Sequence, residues 1–276
     1  MLMQYIIKLI GFLLNMLSYI APKRASKIAL QLFSTPLKGK LSTLQRDYLE
    51  KARQKTLYCN GIKIQTYQWE GSGKTILLVH GWESNSYRWK NLIEALQTKQ
   101  YNIIAIDAPA HGQSGSSIFN AILYSECINV VVNYFKPKVI VGHSVGGMAS
   151  VFFQYTYQNP NVTKLVLLGA PSEFTNIFKN YVTLLGYNSR LEKGLNNLVL
   201  KTFGYKTSHY STANFSESLK LEGLIIHDKK DKIIDYNEAK LIAKKFKNSK
   251  LITTSGYGHA LRHTIVYNHI LEYIES

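Results

Sequence analysis

The chain has 276 residues, of which 46% are hydrophobic and 12% are aromatic. A chain of this length and composition can bury one sizeable core, so we expect one main domain. The 33 Lys and Arg against 17 Asp and Glu give a net charge of +16, which raises the question of nucleic acid or anionic membrane as a partner. Because most basic residues are lysines scattered among acidic ones, without Arg-rich helices or aromatic strands, we expect no nucleic-acid partner.

Half of the excess charge lies in an N-terminal extension, residues 1–55, which has a net charge of +8. Of its first twenty residues, fifteen are apolar, and the exceptions recur at steps of four and three: Gln4, Lys8, Gly11, Asn15 and Ser18. This spacing predicts an amphipathic helix over about residues 1–20 with one narrow polar stripe. Since Gln4, Lys8 and Asn15 disfavour a membrane-spanning helix, we expect the helix to lie in a membrane interface. The alternative is that its apolar surface packs on the main domain or in a dimer.

The cellular location is predicted from the same extension and from the cysteines. A basic run, residues 23–55, follows the helix and would be attracted to an anionic leaflet. Lys8 lies inside the apolar run and no small-x-small cleavage site follows it, so a secretory signal peptide is disfavoured. Cys59 and Cys127 have no disulfide-framework or zinc-ligand spacing. We expect a cytoplasmic protein bound peripherally to the inner face of the membrane.

After Leu57 the chain alternates strand-like runs with helical stretches, as in a sheet built from crossover units. Residues 62–69 alternate apolar and polar side chains and predict an early antiparallel strand. Short runs rich in β-branched residues, typical of strands buried on both faces, follow: 75–79, 103–106, 139–141, 165–168, 224–226 and 251–253. The pattern predicts an α/β domain over residues 56–276, with a mostly parallel sheet flanked by helices.

The alternation fails between Ala170 and Leu221, a segment too long for a structureless loop in a compact domain. The segment is rich in Phe and Tyr, and we interpret it as a small helical cap, residues 171–220. Some of these aromatic side chains are expected to line a substrate pocket, and the others to form the core of the cap.

A nucleophilic serine is predicted by residues 142–146, which read Gly-His-Ser-Val-Gly and fit the pattern G-x-S-x-G. The motif follows the buried run 139–141 directly and precedes a helical stretch, 145–157. A strand, a sharp turn and a helix in this order present a strained serine at the end of a sheet. We therefore predict that Ser144 is the nucleophile.

From about Leu57 onward the chain resembles the α/β-hydrolase fold superfamily, and within it the esterase and lipase-like serine hydrolases. Residues 80–82 read His-Gly-Trp and follow the run 75–79, where the family has its oxyanion loop. The resemblance implies that the backbone N–H groups of Trp82 and Val145 stabilise an oxyanion. It also implies that the cap is inserted between the sixth and seventh strands. At position 110 the chain has alanine where the family usually has glycine. This difference bears only on the conformation of the loop that contains Ala110.

The acid and the base of a catalytic triad should follow the serine in that order. Asp231 lies in the turn after the run 224–226, and His259 lies in the loop after 251–253. We predict that His259 accepts the serine proton and that Asp231 orients it. Three other carboxylates compete for the role of the acid: Asp228 in the same turn, Asp235, which looks like a helix cap, and Glu173 after the preceding strand.

The remaining histidines and motifs favour other roles. His80, His111 and His143 are interpreted as structural loop residues, because the triad already supplies a base. His263 follows His259 by four residues without the Glu of H-E-x-x-H, so no metal site is expected. Residues 73–75 end like a phosphate-binding P-loop, but its first glycine is missing and a strand follows. No cofactor motif is present.

The leading functional hypothesis is hydrolysis of a small-molecule carboxylic acyl ester, with a lipophilic acyl group, through an acyl-serine intermediate. The same triad could instead cleave a thioester or a carbon–carbon bond. Dehalogenases and epoxide hydrolases are disfavoured, since their nucleophile in this fold is an Asp where Ser144 stands. A non-catalytic binding module would predict a broken triad, which this sequence does not have.

Overall fold

The computed structural model describes residues 2–276, with side chains from Tyr5 onward. Gln4, which was predicted to belong to the polar stripe, lies outside the described side chains. The chain divides into two compact units, which we call the helical unit and the sheet unit: Met1–Thr35 with Glu173–Ser211, and Pro36–Ser172 with Thr212–Ser276. This division differs from the predicted one, because the first part of the extension is grouped with most of the predicted cap segment.

The sheet unit contains one sheet of eight strands: β1 Arg53–Cys59, β2 Ile62–Trp69, β3 Thr75–Val79, β4 Asn102–Ile106, β5 Val139–His143, β6 Lys164–Leu168, β7 Glu222–Asp228 and β8 Ser249–Thr254. Their order in the sheet is β1-β2-β4-β3-β5-β6-β7-β8. β2 is antiparallel to both β1 and β4, and the pairs from β3 to β8 are parallel. This confirms the predicted fold class.

The strands at the centre of the sheet are apolar because helices cover both faces. Every residue of β5 and β6 is buried, and in β3 and β4 only the first residue is partly exposed. β1 was missed by the sequence analysis. Its first three residues are exposed and polar, because an edge strand is stabilised by one ladder of hydrogen bonds and needs little burial.

The helices were predicted only in outline, and the structure gives their bounds: α1 Leu2–Ile20, α2 Pro22–Ser34, α3 Thr43–Leu49, α4 Lys90–Gln97, α5 Ala121–Phe135, α6 Val145–Tyr157, α7 Phe174–Leu185, α8 Ser189–Phe203, α9 Thr212–Ser216, α10 Tyr236–Lys245 and α11 Thr264–Glu275. Two 3-10 helices cover Ser86–Trp89 and Thr207–His209. Side-chain caps fix several starts: Asn120 Oδ1 accepts the N–H of Leu123, and Asn188 Oδ1 accepts that of Leu191.

The helical unit consists of α1, α2, α7, α8 and the second 3-10 helix, and it has a core of its own. Several aromatic residues of the predicted cap belong to this core. The ring of Phe33 lies 4.7 Å from that of Tyr181 and 5.9 Å from that of Phe174. Tyr181 donates a hydrogen bond to the carbonyl of Ala29 over 2.9 Å. None of the helices in the described part of the chain is long and apolar enough to cross a membrane.

Candidate active site

Ser144 lies on the sharp turn between β5 and α6. Its backbone has φ 54° and ψ −128°, a left-handed conformation that costs about 1 to 3 kcal/mol for a residue other than glycine. The N–H of Ser144 donates to the carbonyl of Leu168 over 2.8 Å, so β6 holds the turn in place. The strained turn lifts the side chain off the end of β5, where it can meet residues from other loops.

The turn is possible only because its neighbours are glycines. A Cβ atom on Gly142 would lie 2.7 Å from the Cα of Gly147, and one on Gly146 would lie 2.3 Å from the carbonyl oxygen of His80. Both distances are far shorter than real Cβ contacts. The two glycines of the motif are therefore required by the close approach of β3 and α6 to the turn.

Ser144, His259 and Asp231 come together at the ends of β5, β8 and β7. The Nε2 of His259 lies 3.0 Å from the Oγ of Ser144, and its Nδ1 lies 2.7 Å from the Oδ2 of Asp231. The Asp231 side chain has no exposed surface, while 19% of the His259 side chain is exposed. In this arrangement Nδ1 carries the proton and donates to the carboxylate, which leaves Nε2 as the acceptor for the serine hydroxyl.

The carboxylate of Asp231 accepts several further hydrogen bonds. Its Oδ1 accepts the N–H groups of Ile233 and Ile234, and its Oδ2 lies 3.3 Å from the Nε2 of His227. Burial alone would raise the pKa of Asp231, but the hydrogen bonds from His227, His259 and the two backbone N–H groups lower it overall. The carboxylate is therefore held ionised beside His259.

The competing carboxylates have other partners. Asp228 is fully buried and accepts hydrogen bonds from the N–H of Lys230, Gly256 and Tyr257 and from the hydroxyl of Thr254, so it joins the turn after β7 to the loop after β8. Asp235 caps α10 by accepting the N–H of Asn237. Glu173 lies in the helical unit and accepts a hydrogen bond from Ser211.

The loop that carries His259 is held by two side chains beneath it. The Nε2–H of His143 donates to the backbone carbonyl of His259 over 2.8 Å, and the guanidinium of Arg88 donates to the carbonyl of Ala260 over 3.0 Å. Burial lowers the pKa of Arg88 to about 9, helped by the charge of Arg262. Burial and the charge of Arg88 also lower the pKa of His143, so that His143 stays neutral.

The predicted oxyanion loop begins after β3 and passes beside Ser144. A Cβ atom on Gly81 would lie 2.9 Å from the Cβ of Ser144, so only glycine allows this approach. Trp82 follows Gly81 in a turn. Val145 is the first residue of α6, and its N–H therefore has no acceptor within the helix. The two predicted oxyanion donors, the N–H groups of Trp82 and Val145, therefore belong to segments next to Ser144.

Two buried histidines fix the shape of this loop. His80 donates from Nδ1 to the carbonyl of Gly81 and accepts the N–H of Ala108 at Nε2. His111 donates from Nδ1 to the carbonyl of Pro109 and accepts the N–H of Glu83 at Nε2. Burial lowers the pKa of both side chains, which keeps them in the neutral form that these contacts require.

The supporting loop, residues 107–114, is built around Asp107. The buried carboxylate accepts hydrogen bonds from Tyr67, from Ser86 through both N–H and hydroxyl, and from the N–H of Gln113. Ala110 has φ 67°, the left-handed conformation that glycine adopts more easily. The alanine therefore keeps a glycine-like backbone, and its N–H donates to the carbonyl of Gly115 over 2.7 Å.

Within the described part of the chain, no three His, Cys, Asp or Glu side chains lie close enough together to hold a metal ion. His263 caps α11 by accepting the N–H of Ile265, and its ring stacks on Tyr257 at 4.0 Å. Two residues that touch the site were missed by the sequence analysis, Arg88 and His227. Neither belongs to a motif, and each reaches its partner through the fold.

The fold of the chain is shared with proteins of known structure. A family model described as the alpha/beta hydrolase fold matches residues 74–203. Solved structures of that fold superpose on most of the chain. The chain therefore has the α/β-hydrolase fold.

Individual relatives are distant. The AB hydrolase superfamily protein YisY of Bacillus subtilis is 23% identical over 230 residues, which are 68% of this chain and 86% of that protein. An esterase from Exiguobacterium antarcticum superposes with a TM-score of 0.65 and 18% identity, covering 81% of this chain and 100% of that one. A meta-cleavage product hydrolase from Pseudomonas fluorescens gives a TM-score of 0.61 at 16% identity, covering 82% and 98%. These structures show the fold that the chain shares with them.

Proposed function

We propose that this protein is a serine hydrolase that cleaves carboxylic acyl esters through an acyl-serine intermediate. The observation that carries the proposal is the continuous line of contacts from Ser144 through His259 to Asp231, with distances of 3.0 and 2.7 Å. The ionised, buried carboxylate of Asp231 stabilises a positive charge on His259, so His259 can accept a proton from Ser144. Proton transfer runs from the serine to the histidine.

In the first half of the reaction, the Oγ of Ser144 attacks the ester carbonyl carbon while its proton passes to the Nε2 of His259. Asp231 stabilises the imidazolium that forms. The N–H groups of Trp82 and Val145 donate to the developing oxyanion, a contribution of about 3 kcal/mol for each donor. Collapse of the tetrahedral intermediate breaks the bond to the alcohol, which takes the proton from His259 as it leaves.

In the second half, water attacks the acyl-serine carbonyl and gives its proton to His259. The same two N–H groups stabilise the second oxyanion. When that intermediate collapses, the carboxylic acid leaves and the proton returns to Ser144. His259 serves as base and then as acid in each half of the reaction. Both halves therefore require its Nδ1 to remain hydrogen-bonded to Asp231.

The proposed substrate has a lipophilic acyl group. The support comes from the helical unit, whose first helix exposes large apolar side chains along its length. A protein held against lipid by such a helix meets esters that dissolve in lipid. The aromatic residues of the predicted cap support this proposal less than expected, since Phe178 and Tyr181 pack against Phe33 within the helical unit itself.

The test is a series of chromogenic esters of increasing acyl chain length, with matched thioesters, given to the wild type and to Ser144→Ala. We expect turnover of esters, rising with chain length, and a loss of about 10⁴-fold or more in the variant. Ser125→Ala is the matched control, because it removes a likewise buried hydroxyl from α5 and should leave turnover unchanged. Faster turnover of thioesters would reassign the bond that is cleaved. Absence of any turnover in the wild type would favour carbon–carbon bond cleavage or a binding module.

We also propose a reducing, cytoplasmic location. Cys59 and Cys127 are buried and free, and a hydrogen bond from one thiol to the other raises the pKa of Cys127. Thiols this close persist unoxidised where the compartment is reducing. Recovery of the native protein with secreted proteins during cell fractionation would contradict this location.

A further inference from the structure

Helix α1 leaves one apolar side without a partner. Eight large apolar side chains, which we call the outer face of α1, are each between 43% and 84% exposed: Tyr5, Ile6, Leu9, Phe12, Leu13, Met16, Tyr19 and Ile20. At 100° per residue they fall within an arc of about 140°, along roughly 24 Å of helix. Each of the other described helices exposes at most two large apolar side chains. The outer face is therefore a continuous apolar strip, of the kind that proteins use to bind another surface.

The polar stripe of α1 lies on the opposite side and binds the rest of the helical unit. Asn15 donates from Nδ2 to the carbonyl of Gly186 and accepts the N–H of Asn188 at Oδ1, each over 2.8 Å. Gly11 lies so close to Leu185 that a Cβ atom would overlap its carbonyl. Ser18 is fully buried. These contacts fix which side of α1 faces outward.

Because its polar side is bonded to protein, α1 can present only its outer face to a partner. A helix that crosses a bilayer needs apolar surface all the way round, whereas a helix that lies along a bilayer surface needs it on one side. Tyr5 and Tyr19 stand near the two ends of the outer face, and tyrosine favours the boundary between lipid and water. The geometry thus fits a helix that lies flat on lipid.

The charge of the helical unit identifies the kind of lipid. The unit contains nine basic and two acidic residues, a net charge of +7, and all nine basic side chains are exposed. Two of them border the outer face: Lys8, and Arg190, whose guanidinium lies 5.0 Å from the ring centre of Tyr19. Basic side chains beside an apolar strip bind anionic headgroups while the strip enters the acyl region.

We infer that the outer face of α1 docks on an anionic phospholipid surface, and that the contacts of Asn15 and Gly11 within the helical unit keep this face turned outward. A second copy of the chain is the other candidate for covering this face. Pairing two copies through α1 would bring two units of charge +7 together, whereas an anionic bilayer attracts the same charge. The inference concerns binding alone and does not depend on the proposed ester hydrolysis.

The test is co-sedimentation of the full chain with phosphatidylcholine vesicles, with and without about one third phosphatidylglycerol. The variant Leu9→Gln/Phe12→Gln/Met16→Gln makes the outer face polar with residues that favour helix. The matched control, Leu44→Gln/Leu241→Gln/Ile265→Gln, changes three exposed apolar side chains of the sheet unit. Thermal unfolding of each protein shows that it is folded, so that a loss of binding is not mistaken for a loss of structure.

We expect wild type and control to bind the anionic vesicles equally, with the α1 variant at least about tenfold weaker, and all three to bind neutral vesicles more weakly. Equal binding of the α1 variant and the wild type would overturn the inference, as would absence of wild-type binding. A lipid-free dimer that the α1 variant converts to a monomer would assign the face to a second copy instead. If the vesicle results hold while no ester is turned over, only the proposed function fails.

Discussion

The sheet unit and the helical unit place their hydrogen-bonded polar side chains differently. In the sheet unit they gather at the carboxyl ends of parallel strands, where Ser144 follows β5, Asp231 follows β7 and His259 follows β8. In the helical unit they lie along one side of α1, where Asn15 bonds to the backbone of residues 186 and 188. The first arrangement brings side chains from distant segments to one point, where they can act on a substrate. The second fixes the orientation of one helix on its neighbours.

The largest expected effect contrasts two buried carboxylates of the sheet unit, Asp231 and Asp228. Asp231→Asn should lower kcat about 10⁴-fold, because the amide favours the wrong tautomer of His259. Asp228→Asn should instead destabilise the fold by about 2 kcal/mol, since an amide cannot accept all four hydrogen bonds that Asp228 receives. Steady-state kinetics and chemical unfolding of both variants distinguish the roles. A larger loss of kcat in Asp228→Asn would reverse our assignment.

The next effect concerns the buried histidines of the sheet unit. His80, His111 and His143 have a pKa below the ordinary value of about 6.5, so below that pH the unfolded chain binds protons that the folded chain does not. The free energy of unfolding should therefore fall as the pH decreases from 7 to about 5.5, by up to 1.4 kcal/mol per pH unit for each histidine. His80→Gln should lessen this slope. A flat profile would contradict the neutral loop contacts.

In the helical unit the two sides of α1 should respond unequally to truncation. Asn15→Ala removes two hydrogen bonds and leaves the carbonyl of Gly186 and the N–H of Asn188 without this partner, a cost of about 2 kcal/mol. Met16→Ala truncates an exposed side chain of the outer face and should cost less than about 0.5 kcal/mol. Hydrogen exchange of the α1 amides measures the loss of stability of the helix in each variant. Equal protection in the two variants would mean that the polar stripe does not hold the helix.

The smallest effect concerns His227, which we expect to act as a positioning residue for Asp231. The Nε2 of His227 lies 2.9 Å from the carbonyl oxygen of Ile234 and 3.3 Å from the Oδ2 of Asp231, so the two oxygens share its N–H. His227→Phe removes this shared donor, so the pKa of Asp231 should rise and the acidic limb of the kcat profile should move to higher pH. We expect kcat to fall about tenfold at neutral pH, or about 1.4 kcal/mol. His227→Gln keeps an N–H donor, so it should restore most of kcat and most of the original pH profile. An unshifted pH profile in His227→Phe would leave His227 with a packing role only.

Much of the sheet unit could be predicted because its signals are local. β2 begins and ends where the alternation of residues 62–69 does, and the turn at Ser144 is encoded by glycines within two residues of it. Arg88 and His227 had no such signal. Arg88 reaches Ala260 across 172 positions of sequence, and nothing near either residue indicates that contact.

The helical unit was less predictable for a physical reason. The spacing of Lys8, Asn15 and Ser18 correctly indicates a helix with a polar stripe, but fifteen of the first twenty residues are apolar. Periodicity locates the sides of such a helix without indicating which side packs inward. That choice depends on Asn188 and Gly186, more than 170 residues away, which offer backbone groups to Asn15.

The central claim is that Ser144 is the nucleophile, and covalent labelling by a fluorophosphonate tests it most directly. Such reagents are attacked by an activated serine, and the adduct is located by mass spectrometry of the digested protein. We predict one adduct on Ser144, absent in Ser144→Ala and formed much more slowly in His259→Ala. Undiminished labelling of Ser144→Ala, or an adduct on another residue of the wild type, would contradict the claim.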